Sequence, residues 1–224
     1  MQAIIFDFDG TVVDTESAIY ESWREVYERE GGTLSFERWA EGVGGPVQLF
    51  DPYSELEAQV GRKLDRKAIQ HARRSRELEL IAAEGARPGI VHLLDEAQAR
   101  GLKVGLASNS HRDWVERHLI ELGIEEYFDA LATADEVERL KPDPDLYLLA
   151  AERLGVTPRQ ALAIEDSPSG AAAAVRAGLV CLVVPSRLTR GASFPMAHAV
   201  WETLGGASVD DLEILWKRVR AQGG

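Results

Sequence analysis

Short apolar segments alternate with helix-like segments along most of the chain. Four of the apolar runs lie between polar or turn residues and have consecutive apolar positions, which is typical of strands buried on both faces of a parallel sheet. A fifth run, "ALAT" at 130–133, is shorter. The alternation predicts an α/β fold with an open, Rossmann-like parallel sheet and helices on both faces. The four stronger runs are "AIIFDF" (3–8), "KVGLAS" (103–108), "ALAIED" (161–166) and "VCLVV" (180–184).

Helical patterns separate these strands. Apolar residues recur at helical spacing over about 89–100 and 111–122. Two further helices carry residues that favour helix ends, with Asp or Ser as the N-cap, Pro in the first turn and Gly after the last turn. We expect these two helices to begin at Asp143–Pro144 and Ser167–Pro168 and to end at Gly155 and Gly178.

The region from about residue 15 to residue 86 does not follow this alternation of strands and helices. It has helical patterning, strongest over 16–30 and 65–84, and no convincing strand pattern. We therefore predict an inserted all-helical cap domain over 15–86 and an α/β core domain formed by 1–14 and 87–224. Within the insertion, "WAEGVGGPV" (39–47) has the composition of a loop.

Composition narrows the possible partners. The 224 residues carry a net charge of −12, which argues against nonspecific nucleic-acid binding, since that requires clustered Lys and Arg. No apolar stretch approaches the roughly 18 residues of a membrane helix, and the start of the chain does not resemble a signal peptide.

With one cysteine, Cys181, we expect no internal disulfide and a cytoplasmic location. The sequence leaves the oligomeric state open.

Carboxylates follow the predicted strands at the edge where an open α/β sheet binds its ligands. Clustered acids are costly to bury unless a cation neutralises them. Oxygen ligands in such a cluster suit Mg²⁺, which is the cofactor that we expect. The polar residues predicted to meet at this edge, from four separate segments, are Asp7, Asp9, Ser108, Lys141, Glu165 and Asp166.

Four segments, in this order along the chain, resemble the motifs of the haloacid dehalogenase-like superfamily. They are "DFDGTVVDTE", "ASNS", "KPDPDLY" and "IEDSPSG". The resemblance covers nearly the whole chain, including a helical insertion after the first strand. Within the superfamily, the likeness is to small-molecule phosphatases and β-phosphoglucomutase-like proteins that carry a helical cap.

The resemblance implies an enzyme that hydrolyses a small phosphorylated metabolite. Asp7 would be the nucleophile that forms an aspartyl-phosphate, and Asp9 would be the general acid and then the general base. Lys141 would stabilise the charge of the transferring group. Ser108, the backbone near Asn109, and Lys141 would bind phosphoryl oxygens. The implied metal site comprises the Asp7 carboxylate, the Asp9 backbone carbonyl, Asp166 and Glu165, the last directly or through water.

Two alternatives to a phosphatase remain. A phosphomutase of the β-phosphoglucomutase type uses the same core, but its pattern carries a histidine in the first cap helix and a basic residue in the cap loop. This chain has Ile19 at the corresponding place after Thr15, and "EGVGGPV" contains no Lys or Arg. Both departures favour a phosphatase. A catalytically inactive binding module is the other alternative, and the complete set of motif residues speaks against it.

Several other polar and aromatic residues are expected to have structural roles rather than roles in a functional site. We expect Ser110 to cap a helix, because serine is a frequent N-cap. The histidines show no ligand spacing, so His111 and His118, seven residues apart, are expected on an exposed helix face. We expect the five tryptophans, including Trp114, to pack in the core or the cap.

Overall fold

The computed structural model describes residues 1–43 and 50–222. The chain divides into two compact units, of which the first comprises Met1–Val13 and Gly85–Gly224 and the second comprises Asp14–Glu84. The second unit is therefore inserted after the first strand of the first unit.

Six parallel strands form the sheet of the first unit. They are β1 (Ala3–Phe6), β2 (Lys103–Ala107), β3 (Ala130–Ala132), β4 (Ala161–Glu165), β5 (Val180–Val183) and β6 (Ala199–Val200). Their order is β3–β2–β1–β4–β5–β6, so the chain builds outward from β1 first in one direction and then in the other. The predicted Rossmann-like α/β fold is confirmed. Such a reversal of strand order opens a crevice at the carboxyl ends of the strands.

Strand β1 lies at the centre, and its register sets the position of the residues that follow. Phe6 is level with Leu106 of β2 and Ile164 of β4. The ladder continues one residue further, because the Asp7 amide donates to the Ile164 carbonyl over 2.9 Å. The carboxyl ends of β1, β2 and β4 therefore lie side by side.

Over the described residues of the second unit, the regular structure is helical. Its helices are α1 (Thr15–Glu30), α2 (Phe36–Val43), α3 (Pro52–Val60) and α4 (Arg66–Glu84). Helix α1 packs mainly against α4. Between them, the Arg73 guanidinium lies 5.2 Å from the centre of the Trp23 ring. Arg73 and Arg74 both pair with the fully buried Glu77 carboxylate, so the buried charge is compensated within the unit.

Helices cover the sheet of the first unit. They are α5 (Ile90–Ala99), α6 (Arg112–Glu121), α7 (Asp145–Arg153), α8 (Pro168–Ala177) and α9 (Val209–Gln222). Ser167 caps α8 and Pro168 is its first residue, as the sequence predicts. The buried face of α8 consists of Gly170 and four alanines, and such small residues let a helix approach a sheet closely. None of the helices described here is long and apolar enough to cross a membrane.

Element boundaries differ from the sequence predictions in two places for identifiable reasons. The first strand ends at Phe6, because the Phe8 carbonyl turns to accept the Val12 amide over 2.9 Å. Asp143 is not a helix cap: its amide closes a turn onto the Leu140 carbonyl, and α7 begins after Pro144 with no side-chain cap.

Two further features were not predicted. The segment expected to be a loop over 39–47 is helical from residue 39 to residue 43, within α2, and residues 44–47 lie outside the described residues. The short edge strand β6 has only two residues, too few to leave an alternating pattern in the sequence.

Glu136 joins three elements of the first unit. Its carboxylate accepts hydrogen bonds from Arg153 on α7 over 2.8 Å, from Arg112 on α6 over 2.9 Å, and from the Thr133 hydroxyl just after β3 over 2.7 Å. The hydrogen bond from Arg153 is the main reason that the pKa of Glu136 falls from 4.5 to about 2. This carboxylate therefore stabilises the fold in its ionised form.

We predict that Glu136→Gln lowers the free energy of unfolding by about 2 kcal/mol at neutral pH. A shift from 4.5 to about 2 corresponds to at most about 3 kcal/mol, which solvent screening of this partly exposed group reduces. A lowered folded-state pKa contributes stability above pH 4.5 that is lost as the pH falls towards 2. Urea unfolding of both proteins should therefore show a difference that is full at neutral pH and shrinks below pH 4.5.

The matched control is Glu138→Gln. Glu138 is exposed and lies two residues further along the chain, so its replacement should change stability by less than about 0.5 kcal/mol. An equal loss in both variants, or a loss that grows as the pH falls, would contradict the role assigned to Glu136.

Candidate active site

Three buried carboxylates meet at the carboxyl edge of the sheet. Asp7 follows β1, Glu165 ends β4, and Asp166 follows it; oxygens of all three lie within 4.8 Å of one another. Their residues are 7%, 0% and 4% exposed, respectively. The strand order explains the cluster, because β1 and β4 are neighbours with parallel direction.

The Lys141 ammonium holds two of these carboxylates together. Its Nζ donates to Asp7 Oδ1 over 2.5 Å, to Glu165 Oε1 over 2.7 Å and to the Ala107 carbonyl over 2.9 Å. It also lies 5.0 Å from the centre of the Tyr147 ring. Three carboxylates against one ammonium would leave a negative excess if all were ionised, which the Arg87 guanidinium, acting on Asp166, only partly offsets. A divalent cation bound here would neutralise the remaining charge.

Burial and neighbouring charges shift the pKa values of these groups. Burial, and then the neighbouring Glu165 carboxylate, raise the pKa of Asp166 to about 7. The same two causes raise the pKa of Asp7, against the opposing effect of Lys141. Burial lowers the pKa of Lys141, but the attraction of Asp7 and Glu165 outweighs it and the net shift is upward. Lys141 is therefore a permanent cation in the cluster.

Glu165 is saturated with hydrogen-bond donors. Besides the Lys141 ammonium, its Oε1 accepts the Tyr147 hydroxyl over 2.7 Å. Its Oε2 accepts the Ser167 hydroxyl over 3.1 Å and the Asp166 amide over 3.2 Å. A carboxylate engaged in this way is better suited to orienting Lys141 than to binding a metal directly.

Asp166 lies against the backbone of Gly10. A Cβ on Gly10 would come within 2.3 Å of Asp166 Oδ2, and Gly10 has a φ of +86°, so glycine is required there on both counts. The Gly10 carbonyl accepts from Arg87, whose guanidinium also donates to the Val184 and Pro185 carbonyls over 3.1 Å and 3.0 Å. Arg87 thus connects the turn after β1 to the end of β5.

Asp9 lies outside this carboxylate cluster and contacts the segment after β2. Its Oδ2 accepts the Ser110 hydroxyl over 2.6 Å and, more weakly, the Ser108 hydroxyl over 3.4 Å. Its Oδ1 accepts the Trp114 indole N–H over 3.0 Å. The two aspartates of "DFDGT" therefore occupy different environments, although only Phe8 separates them.

Ser108 and Asn109 lie next to Lys141 in the fold. The Ser108 hydroxyl accepts the Ser110 amide over 2.9 Å, and the Asn109 side-chain oxygen accepts the Lys141 amide over 3.0 Å. Ser108 is buried, and Asn109 is exposed. The loop after β2 therefore holds the backbone of Lys141 in register with the carboxylates that its ammonium contacts.

Some interpretations of individual residues were wrong. Ser110 is not a helix cap: His111 has that position, and the Ser110 hydroxyl donates to Asp9. His118 is fully buried rather than on an exposed face. Trp114 packs as expected, but the contact of its indole N–H with Asp9 was not predicted. Tyr147 and Arg87 were also missed as neighbours of the site, because nothing in a linear sequence shows where a long side chain ends.

Comparison with known proteins reveals similarity over most of the chain. A family model described as "Hydrolase: haloacid dehalogenase-like hydrolase" matches residues 1–178. The Bacillus subtilis (strain 168) protein YhcW is 44% identical over 189 residues, which are 84% of this chain and 86% of the relative. The name of this relative assigns it provisionally to the phosphatases. The phosphorylated carbohydrates phosphatase of Thermotoga maritima is 34% identical over 181 residues, or 80% of this chain and 82% of the relative.

The similarity extends to solved structures. One from Thermotoga maritima, named provisionally as a β-phosphoglucomutase, superimposes with a TM-score of 0.80 and 28% identity over 95% of this chain and 99% of that chain. The motifs, the fold and the relatives thus point to the same group of proteins.

We predict that Lys141→Met destabilises the metal-free protein by about 3 kcal/mol at neutral pH. Removing the ammonium leaves buried carboxylates without their nearest counter-charge, and breaking a buried ion pair in this way is strongly destabilising. Urea unfolding in the presence of EDTA measures the change.

Lys103→Met provides the control, because Lys103 makes an exposed ion pair with Asp129 at 3.2 Å and should cost less than about 1 kcal/mol. If both variants lost the same stability, Lys141 would not be the cation that permits the cluster to fold.

Proposed function

Because the chain belongs to the haloacid dehalogenase-like hydrolase family, we propose that it is a Mg²⁺-dependent phosphatase that hydrolyses a small phosphate monoester through an aspartyl-phosphate. The observation that carries this proposal is the cluster of Asp7, Glu165 and Asp166, in which the Lys141 ammonium contacts Asp7 and Glu165. Such a cluster has the charge to hold a divalent cation and a nucleophilic carboxylate beside it.

The donor set fits Mg²⁺. Asp7 and Asp166 supply hard carboxylate oxygens, and the close approach of Asp166 to Gly10 brings it to the backbone that follows Asp9. We assign Asp7, Asp166 and the Asp9 backbone carbonyl as the ligands. Glu165 would orient Lys141 and would not bind the ion directly, because both of its oxygens already accept hydrogen bonds. When bound, the ion would neutralise the phosphoryl group and the carboxylates around it.

The first step belongs to Asp7. One of its carboxylate oxygens attacks phosphorus, the bond from phosphorus to the leaving oxygen breaks, and Asp9 donates a proton to that oxygen. Lys141, which contacts Asp7 at 2.5 Å, stabilises the negative charge on the transferring group. The Ser108 hydroxyl and the backbone at Asn109 would bind the phosphoryl oxygens.

The second step returns the enzyme to its starting state. Asp9, now ionised, takes a proton from water, and the resulting hydroxide attacks phosphorus in the aspartyl-phosphate. The bond between Asp7 and phosphorus breaks, which releases inorganic phosphate and regenerates the Asp7 carboxylate. The sum of the two steps is one ester and one water converted to one alcohol and one phosphate.

We propose a phosphorylated sugar or related metabolite as the substrate. The Thermotoga maritima relative is named for its action on phosphorylated carbohydrates, which supports this class. We propose that the helical unit, Asp14–Glu84, acts as the cap domain that selects the substrate. We also propose a cytoplasmic location, which the unpaired, buried Cys181 supports.

The alternative is a phosphomutase, favoured by the similarity to the structure named provisionally as a β-phosphoglucomutase. Ile19 and the absence of Lys or Arg in the sequence 41–47 favour the phosphatase. The deciding assay incubates the protein with glucose 1-phosphate and Mg²⁺ and separates inorganic phosphate from glucose 6-phosphate. Conversion to glucose 6-phosphate with no phosphate release would establish the mutase.

We predict that Asp7→Asn lowers the kcat for 4-nitrophenyl phosphate by at least about a thousandfold, because an amide cannot form the acyl phosphate. The protein should remain folded, since an amide is similar in size to the carboxylate and removes charge from an acid-rich cluster. Asp210→Asn, on the exposed face of α9, is the control and should retain full activity. Full activity in Asp7→Asn would remove the nucleophile assignment.

We predict that EDTA abolishes hydrolysis and that added Mg²⁺ restores it. Asp166→Asn should raise the Mg²⁺ concentration for half-maximal activity by at least about tenfold, because a ligand loses its charge. Mg²⁺ should also raise the melting temperature of the native protein more than that of Asp166→Asn, which gives a readout independent of turnover. Hydrolysis that persists in EDTA would contradict the proposed metal site.

A further inference from the structure

Two aromatic side chains of α6 contact the turn that carries Asp9. Trp114 donates its indole N–H to Asp9 Oδ1 over 3.0 Å. The Trp114 ring packs edge-on against the His118 ring, with 4.1 Å between centroids and 83° between planes. His118 in turn stacks against Phe8, at 6.3 Å and 19°. Residues four apart share one face of a helix, so α6 contacts both Phe8 and the carboxylate of Asp9.

His118 is a rigid support for this contact. Its side chain is fully buried, and its Nδ1 lies 3.0 Å from Glu121 Oε2. Burial lowers the pKa of His118, which favours a neutral ring that carries its proton on Nδ1 and donates it to Glu121. The Trp114 ring therefore packs against a buried ring whose neutral form is favoured.

The Asp9 carboxylate is fixed at both oxygens. The Ser110 hydroxyl donates to Oδ2 over 2.6 Å, while Trp114 donates to Oδ1. Rotation of the carboxylate about its Cβ–Cγ bond would break both contacts. Because the indole already packs edge-on against His118, its hydrogen bond should cost little further side-chain entropy.

We propose that Trp114 is a positioning residue for Asp9, which it holds in the orientation that proton transfer to the leaving group requires. This inference rests on the proposed function, in which Asp9 is the general acid. General acids act within hydrogen-bond reach of the proton acceptor, so the rotation of the carboxylate decides how well the proton is delivered. Trp114 itself touches no reacting atom in this scheme.

The consequence is a dependence on the leaving group. An oxygen that departs as a stable anion needs little help from an acid, whereas a basic oxygen must be protonated as it leaves. Loss of the indole N–H should therefore slow poor leaving groups much more than good ones. A general loss of structure would slow all substrates alike.

The experiment measures kcat/KM for 2,4-dinitrophenyl, 4-nitrophenyl and phenyl phosphate with Mg²⁺ present, in order of increasing basicity of the leaving oxygen. Trp114→Phe keeps an aromatic ring against His118 and removes the N–H. We expect kcat/KM for phenyl phosphate to fall at least about tenfold more than that for 2,4-dinitrophenyl phosphate, a part of the 100-fold or more that general acids typically contribute. Trp114→His, which retains a ring N–H, should recover part of the loss.

The matched control is Trp216→Phe. Trp216 lies on α9, and its indole nitrogen is buried without a partner among the described residues. Its replacement should leave the ratio of the three rates unchanged. Thermal unfolding establishes that each variant folds, and Trp114→Leu takes the place of Trp114→Phe if the latter does not fold.

Asp9→Asn separates the failure of this inference from failure of the proposed function. If Asp9→Asn discriminates against phenyl phosphate and Trp114→Phe slows all three esters equally or not at all, Trp114 is not a positioning residue. If Asp9→Asn shows no such discrimination, or the native protein hydrolyses none of the three esters, the general-acid assignment fails and this inference fails with it.

Discussion

The buried ammonium of Lys141 is the contact on which the candidate site depends. It donates to Asp7 after β1, to the Ala107 carbonyl at the end of β2 and to Glu165 at the end of β4. One cation thus joins three neighbouring strands at their carboxyl ends. Without it, Asp7 and Glu165 would lose the cation that contacts them both.

The four acids of the site have been given different environments. Glu165 accepts hydrogen bonds at both oxygens and is fully buried, which suits a fixed counter-charge for Lys141. Burial, and then the neighbouring Glu165 carboxylate, raise the pKa of both Asp166 and Asp7. Asp9 is held apart by donors from the segment after β2 and from α6. In the proposed mechanism, these different environments let one residue type serve as nucleophile, metal ligand and proton donor.

Sequence reasoning predicted the strands, and it predicted that most residues of the candidate site would lie at one sheet edge, because both leave local signals. Uninterrupted apolar runs indicate buried parallel strands, and polar residues at their ends must meet at one edge whatever the details of packing. Lys141 was found in this way, through the motif around it. Contacts that depend on the reach of a side chain left no such signal: Trp114 to Asp9, Tyr147 to Glu165 and Arg87 to Gly10 each join residues distant in sequence.

Local sequence preferences also led to wrong predictions where a tertiary contact outweighed them. Serine favours helix caps, yet the Ser110 hydroxyl donates to the carboxylate of Asp9, which is 101 residues away in the sequence. The exposed position expected for His118 followed from spacing alone, and packing against Phe8 and Trp114 decided otherwise. Strand β6 pairs with β5 through only two residues, so its formation depends on the sheet edge that is already present.

The connection of the helical unit to the sheet has a consequence for how such chains diversify. The Arg87 amide donates to the Val12 carbonyl over 2.8 Å, so the chain leaves and rejoins the first unit at almost the same point. When the two ends of an inserted segment lie close together, the entropic cost of closing that segment as a loop grows only logarithmically with its length. The interruption after β1 is therefore a place where segments of very different size can be exchanged while the parallel sheet keeps its register.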